Sequence, residues 1–315
     1  MKDSWAVEAD DAGVRLDKFL AAADRLGSRS RVAAALQRGK VFLNDDEATL
    51  AQASYRLARG DVVRLWVDRP GSSRARLGAF VSGDLHILHE DDDIIVVDKP
   101  AGVLAVPLER REQAPSIFEL IEQHWRSQGK RRPLVVHRID RDTSGLVLFS
   151  TNVRAQQHLK AQFRRQEPER IYLAVVHGYP QPEAGEWHDR LVWNDTALLQ
   201  RPARANDPRG IDAACEYRVV EALGATALLE VRLHTGKQNQ IRVQAQMHGH
   251  PLVGERRYID RDGPRADRSF PRQALHAYRL AFRHPANDRE VWFEAPIPKD
   301  LRELLARLRR SDAGE

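Results

Sequence analysis

The sequence predicts an α+β protein whose larger part contains a mixed, mainly antiparallel sheet. Apolar segments with strand spacing outnumber those with helical spacing, and the two kinds do not alternate regularly along the chain. A regular alternation would instead have indicated a parallel sheet. With 315 residues, 42% of them hydrophobic, the chain is long enough for two domains and at least one sizeable core.

Residues 12–67 are predicted to form a small N-terminal α/β module. The first helix follows from apolar residues at helical spacing, namely Leu16, Phe19, Leu20 and Ala23. We expect Ser30 to cap a second helix that ends at Gly39. Short strands should follow near residues 41–43 and 62–67. Residues 68–82 are rich in Gly, Ser and Arg and are predicted to be a flexible linker.

A second domain is predicted over residues 83–311. Ser116 and Glu119 have the spacing of a capping box and should begin a helix. Two further helices are expected near residues 155–163 and 301–308. The segments with strand character are residues 94–97, 146–149, 172–176, 227–233 and 291–293.

Positive charge is concentrated in two segments. The whole chain has 50 Lys and Arg against 45 Asp and Glu, a net charge of +5 that merely permits a polyanionic partner. Residues 28–40 contain four cations and no acid, and residues 256–272 contain six arginines against three aspartates. Either segment could lie along phosphates or simply form a solvated face.

Several classes of protein are disfavoured. Cys215 is the only cysteine, which excludes intrachain disulfides and fits a reducing compartment. No apolar run approaches the roughly 18 residues that a membrane span requires, and we expect a cytoplasmic protein. The histidines show no metal-binding spacing, and there is no glycine-rich nucleotide-binding loop. Neither a metal nor a cofactor is predicted.

A crowded polar stretch runs into a strongly apolar strand at residues 137–150, His-Arg-Ile-Asp-Arg-Asp-Thr-Ser-Gly-Leu-Val-Leu-Phe-Ser. It closely resembles the His-Arg-Leu-Asp-x-x-Thr-Ser-Gly motif of the RluA-type pseudouridine synthases, with Ile139 as a conservative departure. The resemblance implies that Asp140 is the catalytic aspartate. From spacing alone, Asp140 could equally cap a turn, and Asp142 is an equally acidic neighbour.

Three further segments resemble motifs of the same family, in the same order. Residues 85–102 end in a Lys-Pro-x-Gly turn, and residues 170–178 resemble the tyrosine motif, with Arg170 where the family usually has Lys. Residues 233–243, followed by 249–255, resemble the segment that contains Gln-Ile-Arg-Val. There the usual Arg-Thr-His is replaced by Lys237-Gln238-Asn239, and Gln244 replaces a histidine. The departures put the identity of the substrate in more doubt than activity.

The resemblance implies a pseudouridine synthase fold and an isomerase that needs no cofactor. Its catalytic set would be Asp140, Tyr172 and Arg242, with Tyr172 packing against the target uracil and acting as a base at the sugar. We assign Ile241, Arg138 and Thr143 to the substrate pocket, although Arg138 could instead pair locally. Tyr172 lies in an apolar strand, where an aromatic is most often part of the core.

Residues 12–67 are similar to the alpha-L RNA-binding module of ribosomal small-subunit protein four. That similarity implies RNA contacts from Arg29, Arg31, Arg38 and Lys40. The expected partner is RNA, favouring large-subunit ribosomal RNA, and we expect a monomer. The alternatives are a transfer RNA pseudouridine synthase, a non-catalytic RNA-binding or ribosome-assembly factor with this fold, and a nucleoside glycosidase that uses two carboxylates.

Overall fold

A computed structural model describes most of the chain, and its residues fall into two compact units. The first unit contains the described residues up to 66, and the second begins at residue 85. The described residues are 2–37, 40–44, 46–48, 50–66, 85–107, 116–126, 132–195, 197, 199–258 and 270–312. The predicted linker, residues 68–82, lies outside them.

The first unit is a four-stranded antiparallel sheet with two short helices. The strands are Lys2–Ala6 (β1), Val41–Leu43 (β2), Asp46–Glu47 (β3) and Val62–Trp66 (β4), in the order β1-β4-β2-β3. The helices are Leu16–Leu20 (α1) and Arg29–Gln37 (α2), and single 3-10 turns occur at Ala9–Asp11 and Leu50–Ser54. Leu16, Leu20 and Val32 are completely buried, so the helices cover the sheet's apolar residues as one small core.

Two local predictions for this unit need correction. The predicted boundary at residue 12 omits β1, which pairs along its whole length with β4. The hydroxyl that accepts from the first turn of α2 belongs to Ser28, which receives the Arg31 N–H at 3.3 Å, and Ser30 lies inside the helix. Both serines precede the same apolar run, so the sequence did not distinguish them. Gly39, the expected end of the helix, lies outside the described residues.

The second unit contains an 11-stranded sheet with helices packed against it. The order along its main path is β11-β10-β12-β13-β9-β14-β8-β6-β5, with β15 paired to β14 and β7 to β8. The strands are His86–Glu90 (β5), Ile94–Lys99 (β6), Leu134–Val135 (β7), Ser144–Ser150 (β8), Glu169–His177 (β9), Ala184–Asn194 (β10), Leu199–Pro202 (β11), Ile211–Leu223 (β12), Thr226–Leu233 (β13), Leu275–Arg283 (β14) and Glu290–Glu294 (β15). The helices are Ile117–Trp125 (α3), Val153–Arg164 (α4), Gln240–Met247 (α5) and Lys299–Asp312 (α6).

The sheet is antiparallel except between β14 and β8, which run parallel. The predicted fold class, α+β with a mixed and mainly antiparallel sheet, is therefore confirmed. All seven residues of β8 are buried because the strand is central and covered on both faces. Ser116 caps α3 as predicted, since its hydroxyl accepts the Glu119 N–H at 3.3 Å and donates to the Glu119 carboxylate at 3.1 Å.

Gly145 permits the close approach of β8 and β14. Its φ is +109°, and a Cβ there would lie 2.2 Å from the Ala277 carbonyl oxygen. We expect Gly145→Ala to lower the free energy of unfolding by roughly 2–6 kcal/mol, from backbone strain and overpacking of about 1–3 kcal/mol each. Gly249→Ala is the control, because Gly249 also has positive φ, +79°, but open space around its Cβ position. Equal losses in urea denaturation would contradict the steric explanation.

Candidate active site

The second unit contains a cavity of about 310 Å³ where the loop before β8 meets the first turn of α5. The structure brings together there all six residues that the sequence assigned to catalysis or to the substrate pocket, which are Asp140, Tyr172, Arg242, Ile241, Arg138 and Thr143. They come from three separate regions of the chain. A cavity of this volume falls in the range of small-molecule sites.

The loop that bears Asp140 is fixed through its backbone. The buried Lys99 ammonium donates to the Arg141 carbonyl at 2.7 Å, and the Arg272 guanidinium donates to the Asp142 carbonyl at 3.1 Å. Arg272 is in turn held by an ion pair with Asp300 at 2.7 Å. Because the carbonyls that follow Asp140 are anchored from two sides, the carboxylate is presented by a rigid turn.

Lys99 is completely buried and has three carbonyl partners, at residues 100, 103 and 141. Burial lowers the pKa of Lys99 to about 7, and the nearby carboxylates of Asp142, Asp140 and Asp98 oppose that shift because they favour the charged ammonium. The Lys-Pro-x-Gly turn of the sequence is thus a clamp that ties the end of β6 to the loop of Asp140.

Arg242 is the centre of a buried ion cluster. Its Nη1 donates to Asp140 Oδ2 at 3.2 Å, while its Nε and Nη2 donate to the two carboxylate oxygens of Glu255 at 2.8 and 2.7 Å. Burial alone would lower the pKa of Arg242, but Glu255 and Asp140 raise it. Burial alone would raise the pKa of Glu255, but Arg242 lowers it. The bidentate pair therefore fixes the guanidinium that meets Asp140.

Asn239 explains part of the unusual 237–239 stretch. It precedes α5 with a left-handed backbone, φ +54°. Its Oδ1 accepts from Arg242 Nη1 at 3.3 Å, and its Nδ2 donates to the Tyr258 hydroxyl at 3.0 Å. Asn239 therefore joins the contacts around the guanidinium nitrogen that reaches Asp140. Gln244 points elsewhere, because its amide donates to Asp189 at 2.8 Å and it does not line the cavity.

Glu255 and Asn239 are site residues that the sequence did not single out. Glu255 is the last residue of a family-like segment, and Asn239 is one of the three residues that depart from the family motif. A buried glutamate implies a paired cation, but the sequence around Gly254-Glu255 does not show that Glu255 is buried. Only the fold shows that the chain after α5 returns to Arg242.

Tyr172 lies on β9, and its side chain lines the same cavity as Asp140. Burial raises the pKa of Tyr172 to about 12, and the nearby Asp140 carboxylate acts in the same direction. The phenol is therefore protonated at neutral pH. If Tyr172 acts as a base, it must give up its phenolic proton as it accepts another.

Tyr172→Phe separates the two roles that the sequence suggested for this side chain. The variant keeps the ring and removes the hydroxyl, so we expect KM to change little and kcat to fall about 100-fold, the low end of general acid–base contributions. Steady-state kinetics on unmodified RNA measure both constants. If Tyr172→Phe had the kcat of the wild type, the hydroxyl would have no catalytic role and Tyr172 would only pack against the base.

Two neighbours of Asp140 have other surroundings. Asp142 does not line the cavity, and its carboxylate pairs with Arg141 at 3.3 Å near the surface. His137 accepts the Leu148 N–H at 3.0 Å, and burial lowers its pKa to about 3. His137 is therefore neutral at ordinary pH and holds the polar segment against β8.

The two basic segments predicted from the sequence, residues 28–40 and 256–272, differ in what the structure shows of them. Arg29 and Arg31 are exposed at the start of α2, Lys40 is half-buried before β2, and Arg38 lies outside the described residues. The RNA contacts of these four residues stay a prediction. Most of the arginine-rich segment 256–272 is not described, and Arg272 is buried in its ion pair with Asp300 instead of facing phosphates.

Within the described residues, one group has the composition of a metal site. It consists of His89, Asp91 and His284, whose ligand atoms lie within 4.8 Å of one another. His284 Nδ1 accepts the Ala286 N–H at 3.3 Å, so its proton is on Nε2, which donates to Asp91 at 2.9 Å. A metal would need that nitrogen unprotonated. Hydrogen bonds thus account for the group without an ion.

None of the helices in the described part of the chain is long and apolar enough to cross a membrane.

Comparison with known proteins agrees with this fold. Residues 93–247 match the family model described as RNA pseudouridylate synthase. The chain is 35% identical to an uncharacterized RNA pseudouridine synthase, YlyB, of Bacillus subtilis (strain 168) over 301 residues, 94% of this chain and 95% of that protein. It is 30% identical to a ribosomal large subunit pseudouridine synthase C of Vibrio cholerae over 315 residues, 97% and 96% of the two chains.

The solved structure of human RNA pseudouridylate synthase domain containing 4 shares the fold. Its TM-score is 0.59 at 22% identity, covering 71% of this chain and 93% of that one. Fold and sequence together define an RNA pseudouridine synthase. The chain belongs to the RluA-type family of these enzymes.

Proposed function

We propose that this protein isomerises uridine to pseudouridine in ribosomal RNA of the large subunit, with Asp140 as its catalytic carboxylate. The observation that carries the proposal is the 3.2 Å contact of Asp140 Oδ2 with the Arg242 guanidinium inside the cavity. The names of the relatives support the choice of RNA, since a synthase C and a synthase D named for the large ribosomal subunit match 97% and 96% of the chain. The cytoplasmic location and the monomeric state of the enzyme stay predictions.

Each proposed residue would do one part of the reaction. The bond between uracil N1 and the sugar breaks, the base turns, and a bond from C5 to the sugar forms while C5 loses its proton. Asp140 would act at the sugar as nucleophile or as stabiliser of its positive charge, and Arg242 would keep that carboxylate ionised. Tyr172 and Ile241 would hold the uracil, and Thr143 would form part of the wall. No step needs a redox cofactor.

Arg138 would guide the strand that enters the cavity. It is exposed at the rim and comes directly before the loop of Asp140. A uridine must leave its stack before it can reach a carboxylate at this depth, and its flanking phosphates then lie at the rim. A guanidinium in that position suits a phosphate oxygen. In the first unit, Arg29, Arg31, Arg38 and Lys40 would add affinity for the backbone of the same RNA.

Release of tritium from RNA labelled at uridine C5 tests the proposal. We expect release from large-subunit ribosomal RNA transcribed in vitro, and none from transfer RNA transcripts. Release from transfer RNA alone would replace the proposed substrate. Free uracil among the products would indicate hydrolysis. A glycosidase would need a second carboxylate beside Asp140, and Asp142 lies outside the cavity. No release from either RNA would favour a non-catalytic RNA-binding factor.

Mapping pseudouridines in ribosomal RNA from cells with and without the protein identifies the uridine. We expect one or a few positions to lose the modification when the gene is deleted and to regain it with the wild-type chain. Complementation with Asp140→Asn should fail. An unchanged map would overturn the ribosomal assignment.

A further inference from the structure

A second cavity, of about 740 Å³, adjoins the one that contains Asp140. The two cavities share part of their lining, including Arg138, Tyr172 and Lys237. The second extends from there along α4. A polymer whose target base occupies the first cavity can therefore continue into the second without leaving the protein surface.

The second cavity is lined by positive charge. Among the residues that the structure describes, its charged lining consists of Arg138, Lys160, Arg164, Arg170 and Lys237, with no Asp or Glu. None of these five cations forms an ion pair with any residue that the structure describes. This contrasts with Arg242 and Arg272, which both have carboxylate partners. Unpaired cations around one concave surface attract a polyanion.

Arg170 also favours an anionic ligand, because its guanidinium is buried without a carboxylate partner among the described residues. Only 8% of Arg170 is exposed, yet its Nη2 has only the carbonyls of residues 233 and 234 as partners, at 3.3 and 3.0 Å. Its Nε is buried and has no hydrogen-bond partner within the described structure. A buried guanidinium without a carboxylate is costly unless an anion approaches it.

Gly236 provides the room for this guanidinium. A Cβ at position 236 would lie 2.5 Å from Arg170 Nη1, and Gly236 lines both cavities. Exposed amides of Gln157 and Gln166 and the half-buried ring of Phe163 complete the wall near α4. The Phe163 ring is itself stacked on His137, with 4.9 Å between the ring centroids, so the wall offers mainly cations and neutral amides, which suit the phosphate backbone of a nucleotide strand.

We propose that the second cavity is a subsite for the phosphodiester backbone of the nucleotides that flank the target uridine, bound as a single strand. Lys160 and Arg164 on α4 contact the phosphates, and Arg170 provides a fixed positive charge beneath them. The inference rests on the proposed function, because it takes the same RNA as ligand. These phosphate contacts hold the strand on either side of the uridine and so keep the uridine out of its base stack.

The test is the double variant Lys160→Ala/Arg164→Ala, assayed on large-subunit ribosomal RNA transcribed in vitro. Both residues lie on the solvent-facing side of α4, so the fold should be retained. We expect KM to rise roughly 10-fold or more with kcat unchanged, since the phosphates are held equally before and during the reaction. The slope of log affinity against log salt should become shallower by about 1.4, because each single-strand phosphate that the protein neutralises adds about 0.7 to it.

A matched control removes the same charge elsewhere. Lys299→Ala/Arg310→Ala also deletes two cations from a helix of the second unit, α6, which contributes to neither cavity. We expect its KM and salt slope to equal those of the wild type. The conservative pair Lys160→Arg/Arg164→Lys should restore binding. A circular dichroism spectrum and melting temperature for each variant verify folding.

The outcomes separate this inference from the proposed function. An inactive wild type would refute the function, whereas an active wild type with an unchanged KM and salt slope in the α4 variant would refute the subsite. Equal losses in the α4 and α6 variants would show that overall charge alone matters, which also refutes it. Neutral methylphosphonate linkages beside the mapped uridine give a second readout: they should weaken binding to the wild type and have little effect on the α4 variant.

Discussion

Replacement of Asp140 by Asn should abolish pseudouridine formation while leaving the fold and RNA binding intact. Asn has nearly the same shape, and its amide oxygen can still accept from Arg242 Nη1, which lies 3.2 Å from the carboxylate in the wild type. The substitution removes the negative charge and the nucleophilic oxygen. We expect kcat to fall by at least about 1,000-fold, as when other enzymes lose a reacting or charge-stabilising group.

The measurement is tritium release from labelled ribosomal RNA, with affinity determined separately by filter binding. Asp142→Asn is the matched control, because it neutralises an acid two residues away whose side chain lies outside the cavity. We expect Asp142→Asn to retain activity within about 3-fold, since a surface charge is largely screened. If both variants were equally inactive, the loop as a whole and not the Asp140 carboxylate would be required.

Replacement of Arg242 by Met should lower both stability and activity strongly. It leaves Glu255 completely buried and without its cation, and breaking a buried pair from one side costs about 3–5 kcal/mol. Activity should also disappear, because Asp140 is deprived of its guanidinium partner. Urea denaturation and the tritium assay measure the two effects independently.

The double variant Arg242→Met/Glu255→Gln distinguishes these effects. Gln keeps an acceptor for the N–H groups of residues 256 and 257 but is uncharged. We expect it to recover about half of the stability that Arg242→Met removes, because the uncompensated charge is gone. Activity should not return. A stable and active double variant would exclude a role for Arg242 at Asp140.

The sequence predicted the class of fold and several residues that line one cavity, for local reasons. β8 and α3 follow from an apolar run and a capping box, which are properties of a few adjacent residues. The boundary at residue 12 missed β1, because a strand that borrows its stability from a distant partner has a weak local pattern. The cap of α2 is on Ser28 and not on Ser30, because both serines precede the same apolar run and the local pattern does not distinguish them.

The candidate site shows the same division. Asp140, Tyr172 and Arg242 were named from motifs, and the tertiary structure brings them into one cavity, although their roles stay predictions. Glu255 and Asn239 emerged only from the fold, since their contacts with Arg242 depend on the return of the chain after α5. Lys99 was read as part of a turn, but its buried ammonium anchors the loop of Asp140.

The α+β class, the family and the residue types that could carry the reaction can be inferred from the amino-acid sequence, because short motifs and local apolar patterns encode them. The packing of the chain establishes which acid faces the cavity, what fixes Arg242, and that five cations line a second cavity beside the first. Those features depend on distances between residues far apart in the chain. The motifs identify such residues, but only the packed sheet brings them within hydrogen-bonding distance.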